Sequence, residues 1–287
     1  MAERKLQTLL TRAVMSYRRL PQQQRYFPLK KRIQYLLARV FGTRLLKSQR
    51  LYFVTINGRR FKRLILRDSY IAAEIERNLE RFGASEHFPA LIARHENEIW
   101  LEFIEGTPIQ TADERVVKQI ADFYAAVYAR SPDQVPAAET PFPRRLRQHL
   151  RFLHQVGVLT DDAHRDLEAA AARLTPARVW VGFDYTDPVL KNFVLAPRGD
   201  RVCAVDVESL RGNQLIGTGM VKACVRQLGA FRHVFFAHLA QKPVPNFQAY
   251  LPFVELALLA AQTQKAFLQR KWRYVRPALF DRFRHPS

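Results

Sequence analysis

The chain has 287 residues, 48% of them apolar and 25% charged, enough to bury a sizeable core and incompatible with collagen-like, disordered or disulfide-stapled classes. Its length corresponds to roughly two domains or lobes. The net charge is +20 and uneven: residues 1–67 carry 18 Lys/Arg against the single acid Glu3, residues 68–264 carry 21 basic against 24 acidic, and residues 265–287 carry seven basic against Asp281. Two cationic ends flanking an ordinary middle favour anionic partners, either nucleic acid or an acidic membrane surface.

In chain order, Leu6, Leu9, Leu10, Ala13, Val14 and Tyr17 recur at helical spacing, and Ile33, Leu36, Leu37, Val40 and Phe41 repeat the pattern among Lys30, Lys31, Arg32 and Arg39. Two basic amphipathic helices are predicted, which either pack on the body with a solvated basic face or meet a membrane interface. Residues 51–56 and 59–67 flank Asn57-Gly58, the pair that suits a tight hairpin turn. Asp68 or Ser69 then caps a helix with Ile71, Ile75, Leu79 and Phe82 on its apolar face, ended by Gly83. Two more strands are expected at 89–94 and 98–104. From Asp113 the pattern turns helical. Residues 132–143 read as a Pro-rich loop, and helices follow at 143–156 and 161–173. Short strands are predicted at 179–182, 192–195 and 202–205, then helices from about Met220, broken at Lys242-Pro-Val-Pro.

The arginines interrupting the first apolar stripe argue against a signal peptide, and no apolar run is long enough to span a bilayer. Cys203 and Cys224 fit no metal or redox spacing and read as reduced thiols of a cytosolic chain. The eight histidines include no pair at the spacing of a helical zinc site.

The chemistry concentrates in residues 185–208. The skeleton there is D-x-x-x-x-N (Asp187 to Asn192), a strand, a Gly-Asp turn, a second strand and D-x-E (Asp206 to Glu208). A loop carboxylate at Asp187 can take the proton of an acceptor hydroxyl, while the Asn192 amide oxygen and the Asp206 carboxylate are hard ligands suited to a divalent cation on a triphosphate. Asp184, three residues before Asp187, is expected to matter much less. These motifs resemble the protein-kinase-like phosphotransferases, particularly the aminoglycoside, choline and lipopolysaccharide-core kinase branch, over roughly residues 50–240. The resemblance implies an α+β, bilobal fold. It places a basic helical extension at 1–46, a small β-rich N-lobe at 47–106 and a larger helical C-lobe at 107–287.

By that resemblance Asp187 is the catalytic carboxylate, Asn192 and Asp206 are the Mg²⁺ ligands, and ATP is the donor. The Ile99-Trp-Leu-Glu-Phe-Ile-Glu-Gly segment is similar to the branch's hinge strand, so the backbone at Glu102 and Ile104 is expected to meet the adenine. The phosphate-binding cation lies among Lys62, Arg63 and Arg67, with strand alternation putting Lys62 on the opposite face from the other two. Lys62 is preferred, and Glu76 is preferred over Glu74 as its partner. Tyr185-Thr186 stands where the family has His-Gly. The implied function is a kinase acting on a hydroxyl of a non-protein acceptor, an anionic sugar of the lipopolysaccharide core. The protein would be cytoplasmic and peripheral to the inner membrane, with no nucleic-acid partner. The alternative is a catalytically inactive kinase-like scaffold docking on anionic membrane or a partner protein.

Overall fold

The structure is a computed structural model and describes residues 23–25 and 50–284. The two predicted amphipathic helices of residues 1–46 lie outside the described residues. The chain divides into two compact units, Met1–Pro108 with Phe193–Glu208, and Ile109–Asn192 with Ser209–Ser287. The first unit opens with β1 (Gln23–Arg25), β2 (Arg50–Ile56), β3 (Arg59–Ile65), α1 (Ser69–Phe82), β4 (Leu91–His95), β5 (Glu98–Glu102) and β6 (Thr107–Pro108). The second supplies α2 (Glu114–Tyr128), β7 (Asp133–Pro136), α3 (Phe142–Gln155), α4 (Asp161–Leu174) and β8 (Arg178–Tyr185). The chain returns to the first unit for β9 (Phe193–Leu195) and β10 (Val202–Ala204). It finishes in the second with β11 (Leu210–Leu215), α5 (Thr218–Arg226), α6 (Arg232–Leu239), α7 (Leu251–Leu268) and α8 (Asp281–Arg284).

The first unit is built on a five-stranded sheet in the order β1-β2-β3-β5-β4. Asn57 and Gly58 both take positive φ, 51° and 75°, and close β2 onto β3 with Ile56 opposite Arg59. Only a mirror-image turn of this kind matches the right-handed twist of the two strands. Val54, Phe61 and Trp100 bury on one patch of the sheet. Asp68 caps α1 by accepting from the Ile71 amide at 2.9 Å, and Gly83 ends it at φ 79°. Its buried Ile75, Leu79 and Phe82 each stabilise the unit by about 1.5–3 kcal/mol. Segment 193–208 belongs here: β9 pairs with both β10 and β6, so the hairpin that carries Asp206 sits with the first unit, whereas the sequence division had left it with the helices.

The second unit packs its helices around a three-stranded sheet, β11-β8-β7. Asp113 caps α2 through the Val116 amide at 2.8 Å, and α2 buries Phe123, Tyr124 and Tyr128 without exposure. Two strands of this unit escaped the sequence reading, as β1 and β6 did in the first. The Pro-rich stretch expected to be a loop contains β7, an edge strand paired only with β8, where a terminal Pro136 costs no ladder bond. β11 reads Leu-Arg-Gly-Asn-Gln-Leu and lacks alternation because its register shifts between Arg211 and Gln214, with Asn213 at φ 56°. β8 runs on to Tyr185 because β11 pairs with it that far, Leu210 opposite Tyr185, while β7 pairs only with its first half. Among the described residues no helix is long and apolar enough to cross a membrane.

Candidate active site

In the first unit the candidate site centres on Lys62. Adjacent residues of β3 point to opposite faces, and the two cations meet different fates. Arg63 is engaged by Glu98 of the neighbouring β5, Nε to Oε2 at 3.0 Å and Nη2 to Oε1 at 2.5 Å, and lies 5.4 Å from the Trp100 ring centroid. Arg67, beyond the strand, is exposed. Lys62 is partly buried and donates its Nζ to the carbonyl oxygen of Val205, at the end of β10. Burial holds its ammonium below the ordinary lysine pKa of 10.5, against the opposing attraction of Asp206 and then Glu208. The D-x-E motif therefore brings both carboxylates to the lysine preferred from sequence.

The expected partner Glu76 is not among the groups acting on Lys62: its carboxylate accepts from Arg94 Nε on β4. The reason is geometric, since Glu76 sits on the turn of α1 that packs over β4. At the backbone expected to meet an adenine, the Glu102 amide donates to Ala90 O at 2.9 Å. β5 ends at Glu102, and Ile104 lies beyond the ladder, partly buried.

In the second unit β8 leads into the loop that carries Asp187 and Asn192. Tyr185 is fully buried and sets its ring edge-on to Phe123 at 5.3 Å. The Tyr124 hydroxyl donates to its carbonyl at 3.1 Å. Thr186 is tied to Ser209 O by its amide at 2.8 Å and by its Oγ1 at 3.2 Å. Asp187 follows, its side chain 45% exposed. Asn192 donates its Nδ2 to the Asp187 carbonyl at 3.0 Å, which turns the amide oxygen away from that carbonyl. Asp187 and Asn192 are thus joined through the Asp187 backbone carbonyl.

Two further residues complete this half, and neither role was read from sequence. Lys222 of α5 reaches Asp187 Oδ1 at 3.2 Å and donates to Thr186 O, with its side chain 18% exposed. It fixes one carboxylate oxygen of Asp187 and the carbonyl just before it. Its 35-residue distance from Asp187, inside Gly219-Met-Val-Lys222, offered no signal.

Asp184, expected to matter little, is wholly buried. Its Oδ2 accepts from the Gly219 amide at 2.7 Å, and its Oδ1 accepts from the Tyr185 amide at 2.7 Å and the Tyr128 hydroxyl at 3.2 Å. Burial pushes its carboxyl up from 3.8 to about 7, the donors pulling the other way. Burial likewise drives the Tyr128 phenol well above 10, keeping it a proton donor. Asp184 thereby bolts the start of α5 to the end of β8, and Gly219 is what lets them meet. A Cβ there would lie 2.1 Å from Tyr185 O and 2.5 Å from Asp184 Oδ1.

No family model matches the sequence, and comparison with curated proteins gives no match. Solved structures do share the fold. Macrolide 2′-phosphotransferase MphH from Brachybacterium faecium aligns over 91% of this chain and 99% of its own at 12% identity, with a TM-score of 0.59. Choline kinase LicA from Streptococcus pneumoniae aligns over 87% and 98% at 12% identity, TM-score 0.54. A thermostable variant of aminoglycoside phosphotransferase APH(4)-Ia, in ternary complex with ADP and hygromycin B, aligns over 89% and 99% at 13% identity, TM-score 0.54. The fold is that of the protein-kinase-like phosphotransferases, a sheet-rich part and a larger helical part.

Proposed function

We propose that the chain is a kinase that transfers the terminal phosphoryl group of ATP to a hydroxyl of a non-protein acceptor. What supports this most directly is Asp187, held by Lys222 and Asn192 on one unit, together with Lys62 facing Asp206 and Glu208 on the other. A partly buried ammonium beside two carboxylates is a donor set that fits a triphosphate and its divalent cation, because anion and cation each find an opposite charge. Asp206 in the first unit and Asn192 in the second each offer a hard oxygen that would suit Mg²⁺, and the cation would supply neutralisation of the charge developing on the transferred phosphoryl group. Lys62 would orient the phosphates, and Asp187 would accept the hydroxyl proton on the oxygen not engaged by Lys222. The fold relatives act on small molecules by their names, which favours a non-protein acceptor. The strongly cationic chain favours an anionic one, and a sugar of the lipopolysaccharide core presented at the cytoplasmic face of the inner membrane meets that description.

The scaffold alternative rests on Tyr185-Thr186 in place of His-Gly. Against it, the loop is braced from other directions, by Ser209, Tyr124 and Lys222. The test separates binding from chemistry. Asp206→Ala should abolish Mg²⁺-dependent thermal stabilisation by ATP. Asp187→Asn should retain that stabilisation and lose about 10²–10⁴-fold in phosphoryl transfer. Unchanged ATP consumption in both variants would leave only the scaffold.

A further inference from the structure

Six large apolar side chains stand out as exposed on the described surface, and four of them, Leu268, Trp272, Tyr274 and Leu279, fall within one twelve-residue stretch, at 63%, 58%, 52% and 49% exposure. The stretch is not a loose tail. α7 stops at Leu268, the chain reverses through Arg270 at φ 54°, and the Lys271 amide bonds back to Ala266 O at 2.9 Å. The turns at Trp272–Tyr274 and Pro277–Phe280 both fold back onto α7. Trp272 sets its ring edge-on to Phe267 at 5.1 Å. Further on, Phe280 and Phe283 are buried and Arg284 pairs with Asp166 at 2.9 Å, which anchors the far end. The exposed side chains are therefore held on a fixed surface. Monomeric proteins seldom leave such a cluster uncovered without a partner.

Charge identifies the partner. Interleaved with the apolar residues are Arg270, Lys271, Arg273 and Arg276, all exposed, and among the described residues none of the four forms an ion pair with a carboxylate. The stretch itself holds no acid, and the next one along the chain, Asp281, lies against Arg284. Trp and Tyr prefer the headgroup level of a bilayer, where an amphipathic ring has one wet and one apolar side, and Lys/Arg beside them meet anionic headgroups.

We propose that the surface formed by the end of α7 and the two turns that follow it is a docking site for an anionic phospholipid membrane, with Trp272, Tyr274, Leu268 and Leu279 seated at the interface and Arg270, Lys271, Arg273 and Arg276 on phosphate headgroups. It stands apart from the catalytic reading, since a chain that ignores vesicles could still phosphorylate a soluble acceptor.

The test is sedimentation of the full chain with vesicles of phosphatidylcholine and phosphatidylglycerol in equal parts, and with phosphatidylcholine alone. The chain should bind the first, release as salt rises, and ignore the second. Reversing Arg270, Lys271, Arg273 and Arg276 to Glu should weaken binding at least about 100-fold. Trp272→Ala with Tyr274→Ala should weaken it about tenfold or more. Every substituted side chain is exposed, and an unchanged unfolding temperature would show both variants folded. Trp272 gives a second measurement that does not depend on variants: its emission should shift to the blue on anionic vesicles, and Trp272→Phe should abolish the shift. Charge-reversed protein that still binds like the parent, or Trp272 emission unmoved by bound vesicles, would overturn the proposal. So would self-association through Leu279, or duplex RNA bound in preference to vesicles.

Discussion

The buried carboxyl of Asp184 gives the most direct check on the physical picture. Because its folded pKa is raised above the unfolded one, the folded state holds the proton more tightly. The resulting stabilisation is fully present below about pH 4 and is lost as the pH climbs toward 7. From 3.8 to about 7, at roughly 1.4 kcal/mol per pH unit, the loss amounts to about 4 kcal/mol. That is a large share of the roughly 5–15 kcal/mol by which a domain is held together. Asp184→Asn removes the titration while keeping the shape of the protonated acid. Its Nδ2 cannot accept from the Gly219 amide, whereas the protonated acid keeps a lone pair on that oxygen, so the variant should start below the wild type near pH 4. From that offset it should gain on the wild type by about 4 kcal/mol between pH 4 and pH 8. Taking the difference between the two curves cancels every other titrating group. A constant difference, or one that swings toward the wild type at high pH, would refute the reasoning, because it would mean that the three donors outweigh desolvation.

Other outcomes follow from the same geometry. Lys222→Met should lower the turnover rate on the order of 100-fold through misplacement of Asp187, with the KM for ATP unchanged, and Lys222→Arg should recover part of the loss. Gly219→Ala should cost about 3 kcal/mol or more of stability in thermal unfolding, since its Cβ would meet the backbone of Tyr185 at 2.1 Å. Glu98→Ala should cost about 3–5 kcal/mol by leaving Arg63 buried without its partner. The double change Glu98→Leu with Arg63→Met should cost far less, because both charges leave together.

Features governed by a few adjacent residues were legible in the sequence. Asn57-Gly58 dictates its own turn, Asp68 and Gly83 mark the two ends of α1, and the five-residue step from Asp187 to Asn192 fixes one loop. Features set by meetings across long stretches were not. Nothing in the sequence tells that Glu76 would be taken by Arg94, that the Glu102 amide would be used by Ala90, or that Lys62 would find Asp206 and Glu208 some 140 residues on. The pattern of β11 was hidden by a register shift, and β7 by prolines that only an edge strand tolerates. Asp184 looked like a second acid of the loop. Its importance rests on the donors that surround it, contributed by α2, β8 and α5, and a one-dimensional reading sees none of them.

The exchange of His-Gly for Tyr185-Thr186 takes on a different meaning once these contacts are counted. A histidine at that position would brace the loop through its own side chain. Here Tyr185 gives its ring to the packing against Phe123, and the bracing passes to partners outside the loop: Ser209 holds Thr186, Asn192 holds the Asp187 carbonyl, and Lys222 holds both Thr186 O and Asp187 Oδ1. α5 is the element that holds the Asp187 loop, and Asp184 and Gly219 fix where α5 begins. The partial burial of Lys62 opposes its charge and so costs folding free energy. On the proposed kinase reading a polyanion bound against that ammonium would offset the cost, and a nucleotide should then stabilise the native chain more than its contact area alone implies.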